Sequence, residues 1–242
     1  MYNNRQSAAD ELSNEQIQVL LTGKFGDGGL YSRYNKGNLN CNFYYATNCI
    51  HKDYLEYKKK LLGNLCSTEI KESINNGYKI GTIYKLATKT SSKITEIALE
   101  SIESSLYKLN ELGLALWVYD DGSLHNKKNF YNINTQSYSK EVQQDLFIPF
   151  LKDKFSINSK LTKEIKKDSR EFYYLRIGKY DGAFIITEIL KKYYVPCFNY
   201  KLISSETIQR WSKLQEELKS VDIDMNNLTN YQIGQLFKNI SI

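Results

Sequence analysis

The hydrophobic and polar positions of this chain form a pattern that occurs twice. Residues 20–28 are a largely apolar stretch of helical character that ends in an Asp-Gly pair, and residues 114–122 are another. Asp27 and Asp121 occupy the same place in the two stretches. Because glycine commonly follows the last turn of a helix, each stretch is predicted to be a helix that stops at its Asp-Gly pair.

Three further matches follow these stretches in the same order, which indicates two copies of one folding unit. Lys108 lies 81 residues after Asp27, and Lys201 lies 80 residues after Asp121. One short match would be chance, whereas four matches at near-equal spacing indicate a repeat. The matching segments are residues 47–52 with 135–140, 94–97 with 186–189, and 107–109 with 200–202.

The elements predicted inside the two copies agree with each other. Ser13 followed three residues later by Gln16 is a capping-box pattern, so the first helix is predicted to start there. Alternating apolar residues predict strands and longer amphipathic stretches predict helices, in the repeated order α-β-β-α-β-β-α. The first copy is predicted to have a helix to about residue 26, strands at 30–34 and 39–47, a helix at 54–65, a strand at 79–88 and a helix at 93–104. The second copy is predicted to have a helix at 111–120, strands at 123–125 and 129–135, a helix at 140–153, strands at 157–165 and 171–177, and a helix at 181–193.

These elements predict an α+β protein of two pseudo-symmetric repeats, at residues 1–109 and 110–203, with an extension at 204–242. The extension carries apolar residues at helical spacing and a second short helical pattern near residues 231–240. We expect it to pack against the body of the protein, with a longer DNA footprint as the alternative. Its helically spaced apolar residues are Ile208, Trp211, Leu214 and Leu218.

Composition narrows the class of protein. A hydrophobic content of 41% suits a folded core, and no apolar run is long enough to span a bilayer. The N-terminus lacks the apolar stretch of a signal peptide, so we expect an intracellular protein, in a cytoplasm or an organelle matrix. The four cysteines form no CxxC pair and the two histidines are isolated, which disfavours zinc or a histidine-metal centre.

The charge is compatible with nucleic acid as a partner. The net charge is +6 with a pI of about 8.9, and 20 tyrosines are interleaved with lysines. Basic and aromatic side chains together suit phosphate and base contacts. An AT-rich coding sequence would inflate the same residue types, so the composition alone does not decide between these interpretations.

Asp27 and Asp121 are the candidate metal-binding and catalytic residues. A carboxylate at the C-terminal end of a helix is disfavoured by the helix dipole, and two such carboxylates brought together would repel each other. Hard divalent cations, above all Mg²⁺, would offset both effects and assist phosphodiester hydrolysis. Lys108 and Lys201, one in each copy, are placed to stabilise developing negative charge. An Asp-Gly turn is usually structural when it occurs once, but here it recurs with a matched lysine.

The second motif resembles the LAGLIDADG homing endonucleases, in the single-chain branch found in group I introns. Residues 114–122 are close to the LAxWxxDDG form of that branch, and residues 193–196 with 200–202 are similar to its closing segment. The resemblance covers about residues 15–207. The first motif is less specific than the second.

The resemblance implies a monomer in which the two motif helices pack at a pseudo-twofold axis. Each repeat would then present a saddle of antiparallel strands to the major groove of double-stranded DNA. The implied activity is a staggered double-strand break at a long asymmetric site. Asp27 and Asp121 would bind Mg²⁺, with Mn²⁺ as a substitute, and the backbone carbonyls of Gly26 and Asp120 would face the metal. Lys108 and Lys201 would be the basic active-site residues.

The first motif departs from the family pattern. Lys24 and Phe25 stand where aliphatic residues are usual, and a lysine there is expected to reach solvent or DNA. Lys108 has no preceding proline, so an alignment slip would make Lys93, Lys89 or Lys85 the first-half lysine.

DNA contacts are expected from basic residues on the strands. Two rival functions stay open. The first is a nucleic-acid-binding protein on the same fold, either an intron maturase that binds its own intron RNA or a nuclease that has lost cleavage. The second is a repeat-built binding module unrelated to nucleases. Steep loss of DNA affinity with salt would separate the last from the others. The expected DNA-contacting residues are Arg33, Lys36, Lys85, Lys89, Lys127, Lys160, Lys163, Lys166, Arg170 and Arg176.

Overall fold

The computed structural model of the chain describes residues 11–32, 42–66, 68–75, 81–125, 127, 129–166 and 169–241. The chain divides into two compact units, Met1–Asp120 and Asp121–Ile242. This division falls inside the Asp-Asp-Gly sequence that ends the second motif, so the second motif helix belongs to the first unit except for its last residue. The division of the chain into repeats at 109/110 stays a prediction about its evolution and folding.

The first unit combines an antiparallel four-stranded sheet with helices, and its strand order is β1-β2-β4-β3. The capping box predicted at Ser13 and Gln16 is present at the start of α1. The elements are α1 (Asn14–Phe25), β1 (Gly28–Ser32), β2 (Phe43–Cys49), α2 (Lys52–Leu62), β3 (Lys71–Asn75), β4 (Gly81–Ala87), α3 (Ser92–Leu99), α4 (Ile102–Lys108) and α5 (Glu111–Asp121).

The two motif helices, α1 and α5, are buried on nearly every side. A helix surrounded by protein needs no polar face, which explains why both segments look apolar rather than amphipathic. The rings of Phe25 and Trp117 lie 5.9 Å apart. At the other end of the helices, the side chain of Gln18 accepts a hydrogen bond from the N–H of Asn110 at 2.8 Å. An added Cβ at Gly113 would lie 2.4 Å from Oε1 of Gln18, so glycine permits this close approach.

The second unit has the same sheet topology, in the order β5-β6-β8-β7. The first hairpin pairs Gly28 with Thr47 in one sheet and Gly122 with Ile133 in the other, so the two hairpins share a register. The predicted α+β fold of two pseudo-repeats is therefore confirmed. Thr47 corresponds to Ile133 in the sheets, so the predicted match of Thr47 with Thr135 is wrong by two residues. The elements are β5 (Gly122–His125), β6 (Phe130–Ile133), α6 (Lys140–Val142), α7 (Ile148–Phe155), β7 (Lys160–Ile165), β8 (Glu171–Ile177), α8 (Phe184–Lys192), α9 (Ser205–Ser220) and α10 (Asn230–Asn239).

Some predicted boundaries differ from the observed ones. The helix predicted at 93–104 is two helices, because the chain is extended at Glu100 and Ser101 and a new cap starts at Ser101. The helix predicted at 140–153 contains a π-helical turn at Gln143–Phe147 between α6 and α7. Strand β3 was not predicted, because its five residues carry one large apolar side chain, Ile74.

The C-terminal extension is part of the second unit and packs there against α8, as expected. Trp211 of α9 stacks on Phe184 of α8 with ring centroids 4.7 Å apart. Phe237 of α10 contacts the same ring at 6.1 Å, and Arg210 donates to the carbonyls of Phe237 and Ile240. Within the described part of the chain, no helix combines the length and apolar character needed to cross a membrane.

Candidate active site

Asp27 lies just beyond the end of α1. Gly26 caps that helix in an extended conformation and donates its N–H to the carbonyl of Thr22 at 2.8 Å. The Asp27 side chain is exposed, and its backbone carbonyl accepts a hydrogen bond from the Thr47 hydroxyl at 3.4 Å. Strand β1 begins at the next residue, so the aspartate stands where the motif helix passes into the sheet.

A cleft of about 650 Å³ opens beside Asp27 over the sheet of the first unit. Its wall is basic and aromatic, because Lys71 and Lys85 are cross-strand partners on β3 and β4. Lys85 also pairs in register with Asn48 of β2, the residue after Thr47. The lining residues that carry polar or aromatic side chains are Asp27, Tyr31, Tyr44, Thr47, Asn48, Thr68, Lys71, Lys85, Thr88, Lys89 and Thr90.

Asp121 is the last residue of α5, and β5 begins immediately after it. Its backbone carbonyl accepts a hydrogen bond from the N–H of Asn134 at 3.0 Å, the counterpart of the anchor at Asp27. The cleft beside it, of about 200 Å³, is lined by amides and one acid rather than by lysines. Its lining residues are Asp121, Ser123, Asn132, Asn134, Gln136, Glu164 and Tyr174.

Lys201 lies in the second unit on a short 3₁₀ segment, Pro196–Lys201, that packs against β5. This residue is 6% exposed, and its ammonium lies 4.8 Å from the centroid of the Phe198 ring. Its carbonyl accepts a hydrogen bond from the Tyr131 hydroxyl, which also contacts the Thr187 hydroxyl at 3.0 Å. The second lysine is thus held beside the strand that starts next to Asp121.

Lys108 lies elsewhere. Its ammonium pairs with the Glu100 carboxylate, and its carbonyl accepts a bond from the Gln18 side chain at 3.2 Å. Gln18 precedes Asp27 by nine residues of chain, about 13 Å along a helix. Lys108 and Lys93 line a different cleft, of about 480 Å³. The lysines in the Asp27 cleft include Lys85 and Lys89, two of the alternatives that the sequence left open.

The expectation that Lys24 reaches solvent or DNA is wrong. Its ammonium donates to the carbonyls of Ile97 and Glu100, at 2.9 and 2.7 Å, and to the Ser105 hydroxyl at 2.9 Å. The lysine thus satisfies carbonyls at the C-terminal end of α3, where helices favour cations. Desolvation lowers the pKa of Lys24, while the Glu100 carboxylate opposes that shift.

Asp120 has its side chain inside the first unit. Lys58 of α2 donates to both carboxylate oxygens, at 2.8 and 2.9 Å, and the Tyr54 hydroxyl donates to one of them at 2.7 Å. The side chains of Lys58 and Asp120 are 0% and 1% exposed. Desolvation is the largest single influence and lowers the pKa of Lys58, but the charge and hydrogen bonds of Asp120 together with the contributions of Tyr45 outweigh it, so the net shift is upward. An added Cβ at Gly26 would lie 2.6 Å from Oδ2 of Asp120.

Sequence reasoning missed Lys58 and Tyr54. A signal was present, because both residues fall on the apolar face of α2 with Leu55 and Leu62. A lysine on such a face requires a buried anionic partner. Its identity was not readable, since Asp120 lies 62 residues further along the chain.

The expected DNA-contacting residues lie partly on the strands: Lys85, Lys160, Lys163 and Arg176 are strand residues, whereas Lys89, Lys127, Lys166 and Arg170 lie outside the strands. Arg176 of β8 stacks 4.7 Å from the Phe130 ring and donates to Asn132 at 3.1 Å and to the Tyr174 hydroxyl at 2.8 Å. Asn132 and Tyr174 line the Asp121 cleft. Lys163 and Lys166 are in ion pairs with neighbouring glutamates. Lys85, Lys89, Lys127, Lys160 and Arg170 are exposed, whereas Arg33 and Lys36 lie outside the described residues.

The donor set at each motif fits a hard divalent cation. Each unit offers one aspartate beside a cleft, and Mg²⁺ commonly binds one or two carboxylates together with substrate phosphates and water. No group of three histidine, cysteine or acidic residues that could hold an ion occurs among the described residues. Among the described cysteines, Cys49, Cys66 and Cys197 form no disulfide, and His125 stacks on Phe130 at 4.7 Å.

Comparison with known proteins identifies relatives. The family model described as LAGLIDADG DNA endonuclease family matches residues 18–184. A probable intron-encoded DNA endonuclease 3 of Mycosarcoma maydis is 32% identical over 120 residues, which are 50% of this chain and 82% of that protein. The cytochrome b mRNA maturase bI2 of Debaryomyces hansenii is 27% identical over 205 residues, 79% of this chain and 74% of that protein.

Two solved structures share the fold. The homing endonuclease I-WcaI, bound to its DNA recognition sequence, matches with a TM-score of 0.62 and 20% identity, over 79% of this chain and 87% of that one. A variant of I-DmoI with its nicked target DNA in the presence of Mn matches with a TM-score of 0.50 and 17% identity, over 75% of this chain and 98% of that one.

Proposed function

Because this chain belongs to the LAGLIDADG DNA endonuclease family, we propose that it is a homing endonuclease that makes a staggered double-strand break at a long asymmetric DNA site. Hydrolysis of the two phosphodiesters would depend on a divalent cation, Mg²⁺ with Mn²⁺ as a substitute. The observation that carries the proposal is the repeated placement of Asp27 and Asp121, each where a motif helix meets an antiparallel sheet beside a cleft.

The named relatives support DNA as the substrate. One similar protein is a probable intron-encoded DNA endonuclease, and one structural neighbour is a homing endonuclease bound to its recognition sequence. Paired antiparallel strands fit the major groove, and the two sheets would cover the halves of an extended site. Exposed lysines and Arg176 supply phosphate and base contacts on those sheets.

The residues have separate roles in the proposed reaction. Asp27 and Asp121 would hold the cations, with the backbone carbonyls of Gly26 and Asp120 beside them. A bound divalent cation would stabilise the negative charge that builds on the phosphate and make water a better nucleophile. Lys201, desolvated beside β5, would favour the same negative charge through its fixed ammonium.

For the first half we propose Lys85, in place of Lys108, as the basic active-site residue. Lys85 lies in the Asp27 cleft and pairs in register with Asn48, whose neighbour Thr47 bonds to Asp27. Lys108 is paired with Glu100 in another cleft. Lys89, which also lines the Asp27 cleft, is the alternative.

The test is cleavage of a DNA-site library by the wild type, Asp27→Asn and Asp121→Asn. We expect cutting at one long site with Mg²⁺ or Mn²⁺, no cutting in EDTA, and a loss on the order of 10³-fold in each variant. Binding measured in EDTA should stay within about threefold of wild type, since the folded interface remains. Cutting that survives both substitutions, or that ignores EDTA, would contradict the proposed active site.

A second candidate function is an intron maturase, with or without cleavage. The maturase relative aligns with 79% of this chain, more than the endonuclease relative does. Splicing of an intron RNA that contains the coding sequence would test it, with Asp27→Asn as the control. A maturase would support splicing in both forms, whereas the nuclease activity would be lost in the variant.

Three further expectations complete the proposal. The protein is expected to act as a monomer, because both aspartates and both sheets come from one chain. Residues 1–109 and 110–203 are expected to be the duplicated repeats, with 204–242 as an added segment. An intracellular location, in a cytoplasm or an organelle matrix, stays a prediction.

A further inference from the structure

The buried ion pair between Lys58 and Asp120 has no assigned role in cleavage. Both carboxylate oxygens accept from the Lys58 ammonium, and Tyr54 adds a third hydrogen bond and a ring 4.6 Å from that ammonium. The Tyr54 hydroxyl also contacts the carbonyl of Leu116, one turn earlier in α5. Two residues of α2 therefore hold the final turn of the second motif helix.

The carboxylate of Asp120 is fully engaged by these contacts. Its neighbour on the other side is the end of α1, since Gly26 has room for no side chain there. Asp120 therefore cannot move towards α1, and it cannot turn outwards without leaving Lys58 buried and unpaired. The next residue is Asp121, so the position at which Asp121 leaves the helix depends on this contact.

The arrangement occurs in one repeat only. Gly26 occupies the place of Asp120 in the first motif and has no carboxylate. The anchor that Asp120 provides at the end of the second motif helix therefore has no counterpart at Gly26 of the first.

Stability alone does not account for this choice. A buried ion pair can often be replaced by apolar side chains with no loss of stability, because the desolvation of both charges offsets their attraction. What an apolar pair lacks is direction, since three hydrogen bonds at fixed geometry orient a carboxylate and the backbone attached to it. A fixed orientation matters where the following residue has to hold a cation.

We infer that Lys58, through Asp120, is a positioning residue for Asp121, and that it supports cleavage of one DNA strand more than the other. This inference rests on the proposed nuclease function. It assigns Asp120 a side-chain role as an anchor and leaves only its backbone carbonyl for the cation. Loss of the pair should turn a two-strand cutter into an enzyme that mainly nicks.

The test uses the full chain with Lys58→Met, Asp120→Asn and the double variant Lys58→Met/Asp120→Leu. Lys59→Met is the matched control, because Lys59 is the next residue on α2 and pairs on the surface with Glu69, which is 89% exposed. Single-turnover rates are measured separately on the two strands, at a temperature well below each melting point. DNA affinity in EDTA and the melting temperature are measured without cation.

We expect the single variants to melt lower than wild type and the double variant to regain at least half of that loss. All three should cut one strand at least about tenfold more slowly relative to the other, with EDTA affinity within about threefold of wild type. Lys59→Met should change neither strand. The double variant decides the question if the single variants do not fold.

Equal slowing of both strands, or wild-type rates in the double variant, would overturn the inference and leave the pair a structural one. Failure of the wild type to cut any site would instead count against the proposed function. The two failures are therefore distinguishable in the same experiment.

Discussion

The two clefts of this protein are built on one backbone plan and lined by different chemistry. Both follow an aspartate at the end of a motif helix, and both lie on a sheet with the same strand order. The Asp27 cleft has lysines and tyrosines in its wall, whereas the Asp121 cleft has amides and Glu164. The repeat thus preserves the position of the carboxylate and leaves the surrounding surface free to differ.

Two tyrosines at equivalent positions in the core also have different partners in the two repeats. Tyr45 and Tyr131 share a position in the common register. The Tyr131 hydroxyl bonds to Thr187 and to the carbonyl of Lys201, and so fixes the segment that carries that lysine. The Tyr45 ring instead lies against the backbone of Gly23 and Gly28, where a Cβ would approach it within 2.8 and 2.5 Å. A long asymmetric DNA site is what two halves of this kind would suit.

The largest expected effect compares the lysines of the two halves. We expect Lys201→Met and Lys85→Met each to slow single-turnover cleavage by about 10²-fold, because in the proposed reaction each would remove a positive charge that stabilises the reacting phosphate. Lys108→Met should slow it by less than about threefold, since this lysine is paired with Glu100 away from the Asp27 cleft. A loss in Lys108→Met as large as that in Lys201→Met would restore Lys108 as the first-half residue.

A smaller effect is expected where the first motif meets Asp120. Gly26→Ala would bring a Cβ to 2.6 Å from an oxygen that Lys58 holds in place. We expect a loss of about 1 to 3 kcal/mol in the free energy of unfolding. Gly81→Ala is the control, because no atom of the described residues lies within 4 Å of the added Cβ. Chemical denaturation of both variants measures the difference, and equal stability would show that the end of α1 can yield.

The smallest effect concerns the C-terminal extension, which follows the second repeat alone. Desolvation, with a contribution from Arg210, lowers the pKa of Lys179 from 10.5 to about 8. The unfolded chain therefore binds more protons than the folded one between about pH 8 and 10.5, and stability rises with pH over that window.

Lys179→Met removes this dependence and any ring contact of the ammonium, which lies 3.7 Å from the Phe237 centroid. We expect the melting temperature of the wild type, relative to that of the variant, to rise as the pH is raised from 7 to 9.5. The rise should correspond to less than about 1 kcal/mol of stability. A constant difference between the two proteins over this range would contradict the lowered pKa.

The elements and the carboxylates were predictable because they depend on local patterns. The capping box, the Asp-Gly pairs and the paired segments at 94–97 and 186–189 each lie within a few residues of sequence. Their recurrence at equal spacing carried the fold without any knowledge of contacts. Strand β3 was missed because it has too few apolar residues to give an alternating pattern. It is a strand because it pairs with β4.

The lysines were not predictable in the same way. The partners of Lys24 and Lys58 lie 62 or more residues away in the chain, and the partner of Lys108 is Glu100, in a turn that was not predicted. From the sequence, Lys24 was expected to reach solvent or DNA, Lys58 was given no role, and Lys108 was expected to be catalytic. The structure gives them helix capping, an ion pair and a surface bridge to Glu100.

By itself, the sequence determined that two copies of one α+β unit each end a buried helix in an aspartate. Periodicity encodes which face of an element is buried, and an internal repeat encodes which positions are equivalent. Only the tertiary structure decided which polar group meets which. The charge of Lys58 is compatible with many partners, and the packing of α2 against α5 selected Asp120. Burying both charges carries a desolvation penalty that only a well-oriented contact between them offsets, and no local sequence pattern encodes that orientation.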